Sequence, residues 1–275
     1  MRKWQELEID YAKKLRECPS KDRPALYVEA YSRVAAARRS DMVSKAPENR
    51  TAGVSLVTVH TVAHLCRLHY CVLEIGCARG YACLKLAPFV QEIVGIDVSR
   101  PALQEATKLC LDHGIGNVRI ESQSPYGIVN QFGVGAFDLA FSVDVYEHLH
   151  PEDGFEHLQQ VLQILKPGGS YVVFTPNKLS GPHDCTKEVF PNATEPKGFH
   201  LNETTYRDLI GNMKRAGFVK PKSVLPLNSV LSRFRDIWYP ASWNRLNEWV
   251  FCHGVKCRPF RNLMRVVVSA KKPIG

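Results

Sequence analysis

The sequence predicts an α/β fold: a mostly parallel sheet with an antiparallel last strand, entered through an N-terminal helical cap. Three observations carry this reading. Between residues 71 and 177, short apolar runs alternate with stretches of helical period, the pattern of strands joined by crossover helices. Those runs are continuously apolar, as strands buried on both faces are. The 275 residues, 45% hydrophobic and 23% charged, suffice for a sizeable core and exclude disordered, collagen-like and small disulfide-framework proteins.

Taken in order, Trp4, Leu7, Tyr11 and Leu15 recur at helical spacing, and after a break at Pro19-Ser20 a second run carries Leu26, Ala30 and Val34. With the polar linker from Asp41 to Ala52 these form a cap over residues 1–52, and a further helix runs from about Val54 to Leu68. Strands are expected at Cys71 to Ile75, Ile93 to Ile96, Asn117 to Ile120, Phe137 to Val143 and Ser170 to Phe174. Helices fall between them at Cys83 to Phe89, Pro101 to His113 and Gly154 to Leu165, the last stopped by Lys166-Pro167-Gly168-Gly169. The tail has a helix from Glu203 to Ala216, a strand from Phe218 to Val224 and a final β-branched run from Arg265 to Ser269. An aromatic insertion at about 228–262, with Trp238, Tyr239, Trp243, Trp249 and Phe251, precedes that run, so residues 53–275 read as one domain.

The net charge of +9 is unevenly placed: residues 206–275 hold fourteen Lys and Arg against three acids, a net +11, which leaves −2 elsewhere. A basic tail suits an anionic substrate, an acidic partner or nucleic acid. No membrane span is expected, and Met1 to Glu8 passes directly into charged helical sequence without an apolar leader. Nine cysteines, an odd number without a Cys-x-x-Cys pair, fit a reduced cytoplasmic protein. Cys252, His253 and Cys257 lack a second cluster at ligand spacing, so no metal is expected.

The strongest local signal is Val72-Leu-Glu-Ile-Gly-Cys-Ala-Arg-Gly80, an apolar strand that ends in an acid and runs into glycines at a helix start. Such a turn floors the ligand crevice at the carboxyl ends of a parallel sheet. A dinucleotide fingerprint would need glycines where Ala78 and Tyr81 stand, which disfavours a nicotinamide oxidoreductase. Three further segments follow in order. Gly95-Ile-Asp97-Val-Ser99 ends the second strand with an acid 23 positions after Glu74. Phe137-Asp-Leu-Ala-Phe-Ser-Val-Asp144-Val-Tyr-Glu147-His148-Leu149 ends the fourth, and Leu165-Lys-Pro-Gly-Gly-Ser-Tyr-Val-Val-Phe174 forms the fifth.

Together these segments resemble class I S-adenosylmethionine-dependent methyltransferases, and the stretch from Thr175 to Asp184 with Gly198-Phe-His-Leu201 resembles the small-molecule group near the ubiquinone-type enzymes. The resemblance implies a Rossmann-like class I methyltransferase sheet and S-adenosyl-L-methionine as cofactor, with S-adenosyl-L-homocysteine as product. It implies that Glu74, Gly76, Cys77, Ala78 and Gly80 border the methionine part, Asp97 and Val98 the ribose, Ser122 and Gln123 the adenine, and Asp144 the sulfonium end. A Gln carbonyl would accept from the adenine amino group where the family often has an acid. Thr175-Pro-Asn177 stands where enzymes that methylate exocyclic amines of nucleic acid carry an Asn/Asp-Pro-Pro-Tyr motif, which argues against that chemistry.

Methyl transfer from a sulfonium is an in-line displacement, so the protein must mainly align a nucleophile and remove its proton where needed. The candidates for this work are His148, His183 with Asp184 to orient its ring, and His200, all in segments after the fourth and fifth strands. The aromatic insertion together with Tyr11, Tyr27 and Tyr31 is expected to roof the crevice. The acceptor is then an O or N nucleophile of a small, anionic molecule. An RNA or protein methyltransferase docking through the basic tail, and a catalytically idle cofactor-binding partner protein, stand as alternatives.

Overall fold

The computed structural model describes residues 1–43, 56–225, 237–240 and 265–274. Its sheet has eight strands: β1 (Cys71–Ile75), β2 (Glu92–Asp97), β3 (Val118–Ser122), β4 (Phe137–Val143), β5 (Leu165–Pro176), β6 (Val219–Leu225), β7 (Ile237–Pro240) and β8 (Arg265–Lys271). Their order is β3-β2-β1-β4-β5-β8-β6-β7. Strands β1 to β5 pair in parallel, β8 runs antiparallel between β5 and β6, and β7 closes the edge as the antiparallel partner of β6. The order reverses between β1 and β4, and at such a point the helices that follow the two strands leave on opposite faces and open a crevice at the carboxyl ends.

Both faces are covered, which is why the strands read as continuous apolar runs. Alternate residues point to opposite layers: Leu73 and Ile75 pack with Ile96, Tyr171 and Val173 against Leu158, Val161 and Met213, while Val72, Phe141 and Phe174 meet Val62, Leu86 and Leu103. The first layer is supplied by α6 (Ile128–Phe132), α7 (Pro151–Ile164) and α8 (Tyr206–Arg215), the second by α3 (Leu56–Ala63), α4 (Tyr81–Leu86) and α5 (Arg100–Asp112). The tail helix begins at Tyr206 rather than Glu203 because the Thr205 hydroxyl accepts from the Asp208 amide and caps it there.

The stop signal Lys166-Pro-Gly-Gly169 behaves differently from the expectation. Helix α7 ends at Ile164 and these residues already belong to β5, where the Gly168 amide donates to the Lys272 carbonyl and the Lys272 amide to that of Gly169. The linker and the aromatic insertion lie almost wholly outside the described residues. Within the insertion only β7, at the sheet's edge, is placed.

The cap consists of α1 (Lys3–Glu17) and α2 (Arg23–Val43), which pack on each other through Tyr11, Leu15, Tyr27, Ala30 and Val34 and on the body through Phe199. Its tie is a buried ion pair. The Arg23 guanidinium lies 2.8 Å from Asp153 at the start of α7, with both side chains 3% exposed, and reaches Glu152 at 2.7 Å. The hydroxyls of Tyr27 and Tyr126 donate to the same Asp153 carboxylate. The cap is thereby held over the carboxyl ends of the strands.

Candidate active site

The floor is built from backbone. After β1 the chain turns through Gly76 at φ +77°, and the Gly76 and Cys77 amides donate to the Ile96 carbonyl at 2.8 and 2.9 Å. A Cβ at Gly76 would stand 2.3 Å from Val145 Cγ2, so only glycine fits both the left-handed backbone and the close approach. Ala78 also has positive φ, and its amide donates to the Asp97 carboxylate at 2.9 Å, while the Ser99 amide donates to the other oxygen at 2.8 Å. Burial raises the Asp97 carboxyl above its ordinary value and these amides draw it back.

A cavity of about 310 Å³ opens above this floor, and Gly76, Ala78, Asp97, Val98 and Gln123 form its base. The Gln123 side-chain amide donates to the Tyr126 carbonyl, which leaves its own carbonyl oxygen free to accept. Three residues of the expected floor lie beneath it instead. Gly80 starts α4, the Cys77 thiol is buried against Gly95 and Cys83, and Glu74 is buried with its carboxylate accepting from the Cys83 thiol at 2.9 Å. Burial pushes Glu74 up to about 8, so it stands protonated at neutral pH and braces the loop from below. Ser122 departs from the expectation altogether. As the last residue of β3 its side chain alternates away from that of Gln123 and faces a groove along α5 with Arg100 and Leu103.

The opposite wall is built from side chains. Tyr27 and Tyr31 from α2 line it together with Asp144, Val145 and His148. Tyr11 does not: its hydroxyl donates to Glu29 within the cap. Asp144 has positive φ and pairs with Arg265 of β8. Glu147 is fully buried; its Oε2 accepts from the Thr175 hydroxyl at 3.0 Å, while Oε1 has no partner among the described residues. Burial and the nearby Asp144 charge push it up to about 8.

The histidines regroup. His148 and His200 meet edge to face with ring centroids 4.8 Å apart. His148 is pushed down to about 3 by burial, with His200 adding to this, and its Nδ1 lies 3.2 Å from the Phe199 carbonyl. Burial also pulls on His200, but its hydrogen bond with Glu203, 2.7 Å from Nδ1, and the Glu147 charge leave it raised. The expected His183-Asp184 pair is not formed. Asp184 instead caps the turn at Thr186 and accepts from the His200 amide, and His183 is exposed, outside the cavity lining, with its Nε2 near Ser180 Oγ and the Asn177 carbonyl. The acid that joins the two histidine segments is Glu203, which accepts from the His183 main-chain amide and holds the His200 ring. Its only sequence signal was an acid three residues after His200.

Residues 72–169, the strands and turns that make this floor, match a family described as a methyltransferase domain. The chain is 27% identical over 108 residues to an uncharacterized methyltransferase, YcgJ, of Bacillus subtilis, covering 39% of this chain and 41% of that protein. It is 28% identical over 107 residues to the ubiquinone biosynthesis O-methyltransferase of Chelativorans sp., covering 39% and 40%. The match thus spans about two fifths of the length of these curated relatives. The 1,6-didemethyltoxoflavin-N1-methyltransferase of Burkholderia thailandensis shares the fold, with a TM-score of 0.52 and 17% identity over 88% of this chain and 89% of its own. No helix among the described residues is long and apolar enough to cross a membrane.

The residues of this floor fit S-adenosylmethionine, the cofactor that the sequence resemblance implies. Gly76 leaves a cradle that a Cβ would fill, Asp97 brings a carboxylate to the cavity and the Gln123 side-chain carbonyl has no partner among the described residues. The buried Tyr31 hydroxyl, without a partner among the described residues, adds a donor on the facing wall.

Proposed function

We propose that this protein transfers a methyl group from S-adenosylmethionine to an oxygen or nitrogen of a small, anionic acceptor in the cytoplasm. The observation that carries the reading is the two-sided cavity: a backbone floor with one carboxylate, faced by a wall of tyrosines and buried titratable groups under a helical cap. In this reading Asp97 holds the ribose hydroxyls, Gln123 accepts from the adenine amino group, and the Gly76–Ala78 turn borders the methionine part. Asp144, at the end of β4, stands beside the methyl group.

The acceptor enters from the side of His148 and His200, which orient it for attack on the methyl group. Reaction in line then depends mainly on alignment and on exclusion of water by Tyr27 and Tyr31. The named activities of the ubiquinone-type and toxoflavin-type enzymes support a small acceptor. The basic tail favours a negatively charged acceptor.

Calorimetric titration with S-adenosylhomocysteine tests the cofactor end, with NAD as control and Asp97→Ala as variant. Binding on the order of micromolar, lost in the variant, is expected. Silence with the product but heat with NAD would overturn the proposal.

A further inference from the structure

We infer that Glu147, His148 and His200 form a binding site for one divalent first-row transition ion. One ligand atom from each of the three side chains lies within 4.8 Å of the others. The carboxylate is fully buried, and its Oε1 has no hydrogen-bond partner among the described residues although Oε2 is held by Thr175. A buried acceptor is rarely left so without something to meet it.

Both imidazoles are anchored through Nδ1, His148 at the Phe199 carbonyl and His200 at the Glu203 carboxylate, which leaves each Nε2 without a hydrogen-bond partner among the described residues. A ring whose Nδ1–H donates to a carbonyl or carboxylate presents the Nε2 lone pair to a metal, and this outer partnership is what metal-binding histidines usually have. Two imidazoles and one carboxylate suit zinc, cobalt, manganese or ferrous iron, and offer too few oxygens for calcium or magnesium. A tetrahedral ion with ligands at about 2.1 Å sets them about 3.4 Å apart, so the site tightens by up to about 1.4 Å on loading.

Three protein ligands leave positions for water or an acceptor atom. His148 lines the cavity, so an ion held here would polarise an acceptor oxygen beside the cofactor; that use, unlike the site itself, rests on the methyl-transfer reading.

The test is titration of the metal-stripped full chain with Co²⁺ in the absence of cofactor and acceptor, followed by visible absorption. One equivalent is expected to bind, with ligand-field bands and no thiolate charge-transfer band, which excludes the cysteines as ligands. His148→Ala and His200→Ala should each weaken binding at least about 100-fold, and Glu203→Gln by about 10- to 100-fold, while His183→Ala leaves it unchanged. No saturable equivalent in the wild-type chain would overturn the site. So would a thiolate band, or an equivalent retained when both histidines are replaced. Cobalt binding without S-adenosylhomocysteine binding would sink the proposed activity and keep the ion site, and the reverse would do the opposite.

Discussion

The floor and the facing wall of the cavity hold their shapes by different means. The floor is laid by the strand ends, the Gly76 to Ala78 turn after β1 with Asp97, Val98 and Gln123 beside it, and the turn is fastened by amides that donate to the Ile96 carbonyl and to Asp97. The wall draws Tyr31, Asp144, Glu147, His148 and His200 from three separate segments, and its order depends on a cap tied to the body by Arg23 and Asp153. A backbone-built site survives most side-chain changes but no change of glycine. A side-chain-built site can be retuned residue by residue, and this is where acceptor specificity can vary on a constant cofactor floor.

The contrast can be broken most severely at the cap. Arg23→Met strands the buried Asp153 charge and should cost about 3–5 kcal/mol in urea unfolding, with hydrogen exchange rising first in the two cap helices. Unchanged exchange there would show that the wall does not depend on this tie.

Beneath the floor, Glu74 is the sensitive group. Its pKa in the folded protein is raised to about 8, from an ordinary value of 4.5. The folded state therefore binds the extra proton, and its contribution to stability is complete below about pH 4.5 and is lost as pH rises through about 8. Glu74→Gln should remove a slope of up to about 1.4 kcal/mol per pH unit in that window, read from unfolding curves between pH 5 and 8; an identical slope in the variant would place the proton elsewhere.

Gly76→Ala meets both the left-handed φ and Val145, and about 2 kcal/mol of strain should appear as at least a tenfold loss of S-adenosylhomocysteine affinity. Retained affinity would mean that the turn relaxes. Tyr31→Phe removes a buried hydroxyl without a described partner, so the ligand-free protein should gain about 1 kcal/mol in thermal unfolding while the ligand-bound form gains less. Equal gains would remove Tyr31 from the ligand's surroundings. The smallest effect is expected at exposed His183, where His183→Ala should stay within about 0.5 kcal/mol of wild type and leave turnover unaltered; a large loss of turnover would return this residue to the acceptor side.

The parallel half of the sheet was legible because its signals are local. Apolar runs of strand length, a Gly76 to Gly80 turn and an acid at Asp97 each sit within a few residues of what they form. The wall was legible only as a set of candidates. His148, His183 and His200 look alike in sequence, and nothing near His183 reveals that Asp184 turns away to the Thr186 amide while Glu203 reaches back to His200. Ser122 and Gln123 are neighbours in sequence and face opposite ways because a strand alternates its side chains.

What the amino-acid sequence determined by itself is therefore the fold, with the Gly76 turn and the acid at Asp97, whose interactions are short-range or periodic and so leave a pattern along the chain. What only the tertiary structure decided is the wall. Burial of Glu147, the meeting of two histidines 52 residues apart at 4.8 Å, and the clamp of Arg23 on Asp153 are long-range contacts. Both the pKa of a group and its partner are properties of the place where the chain brings it, and that place exists only after the core has closed.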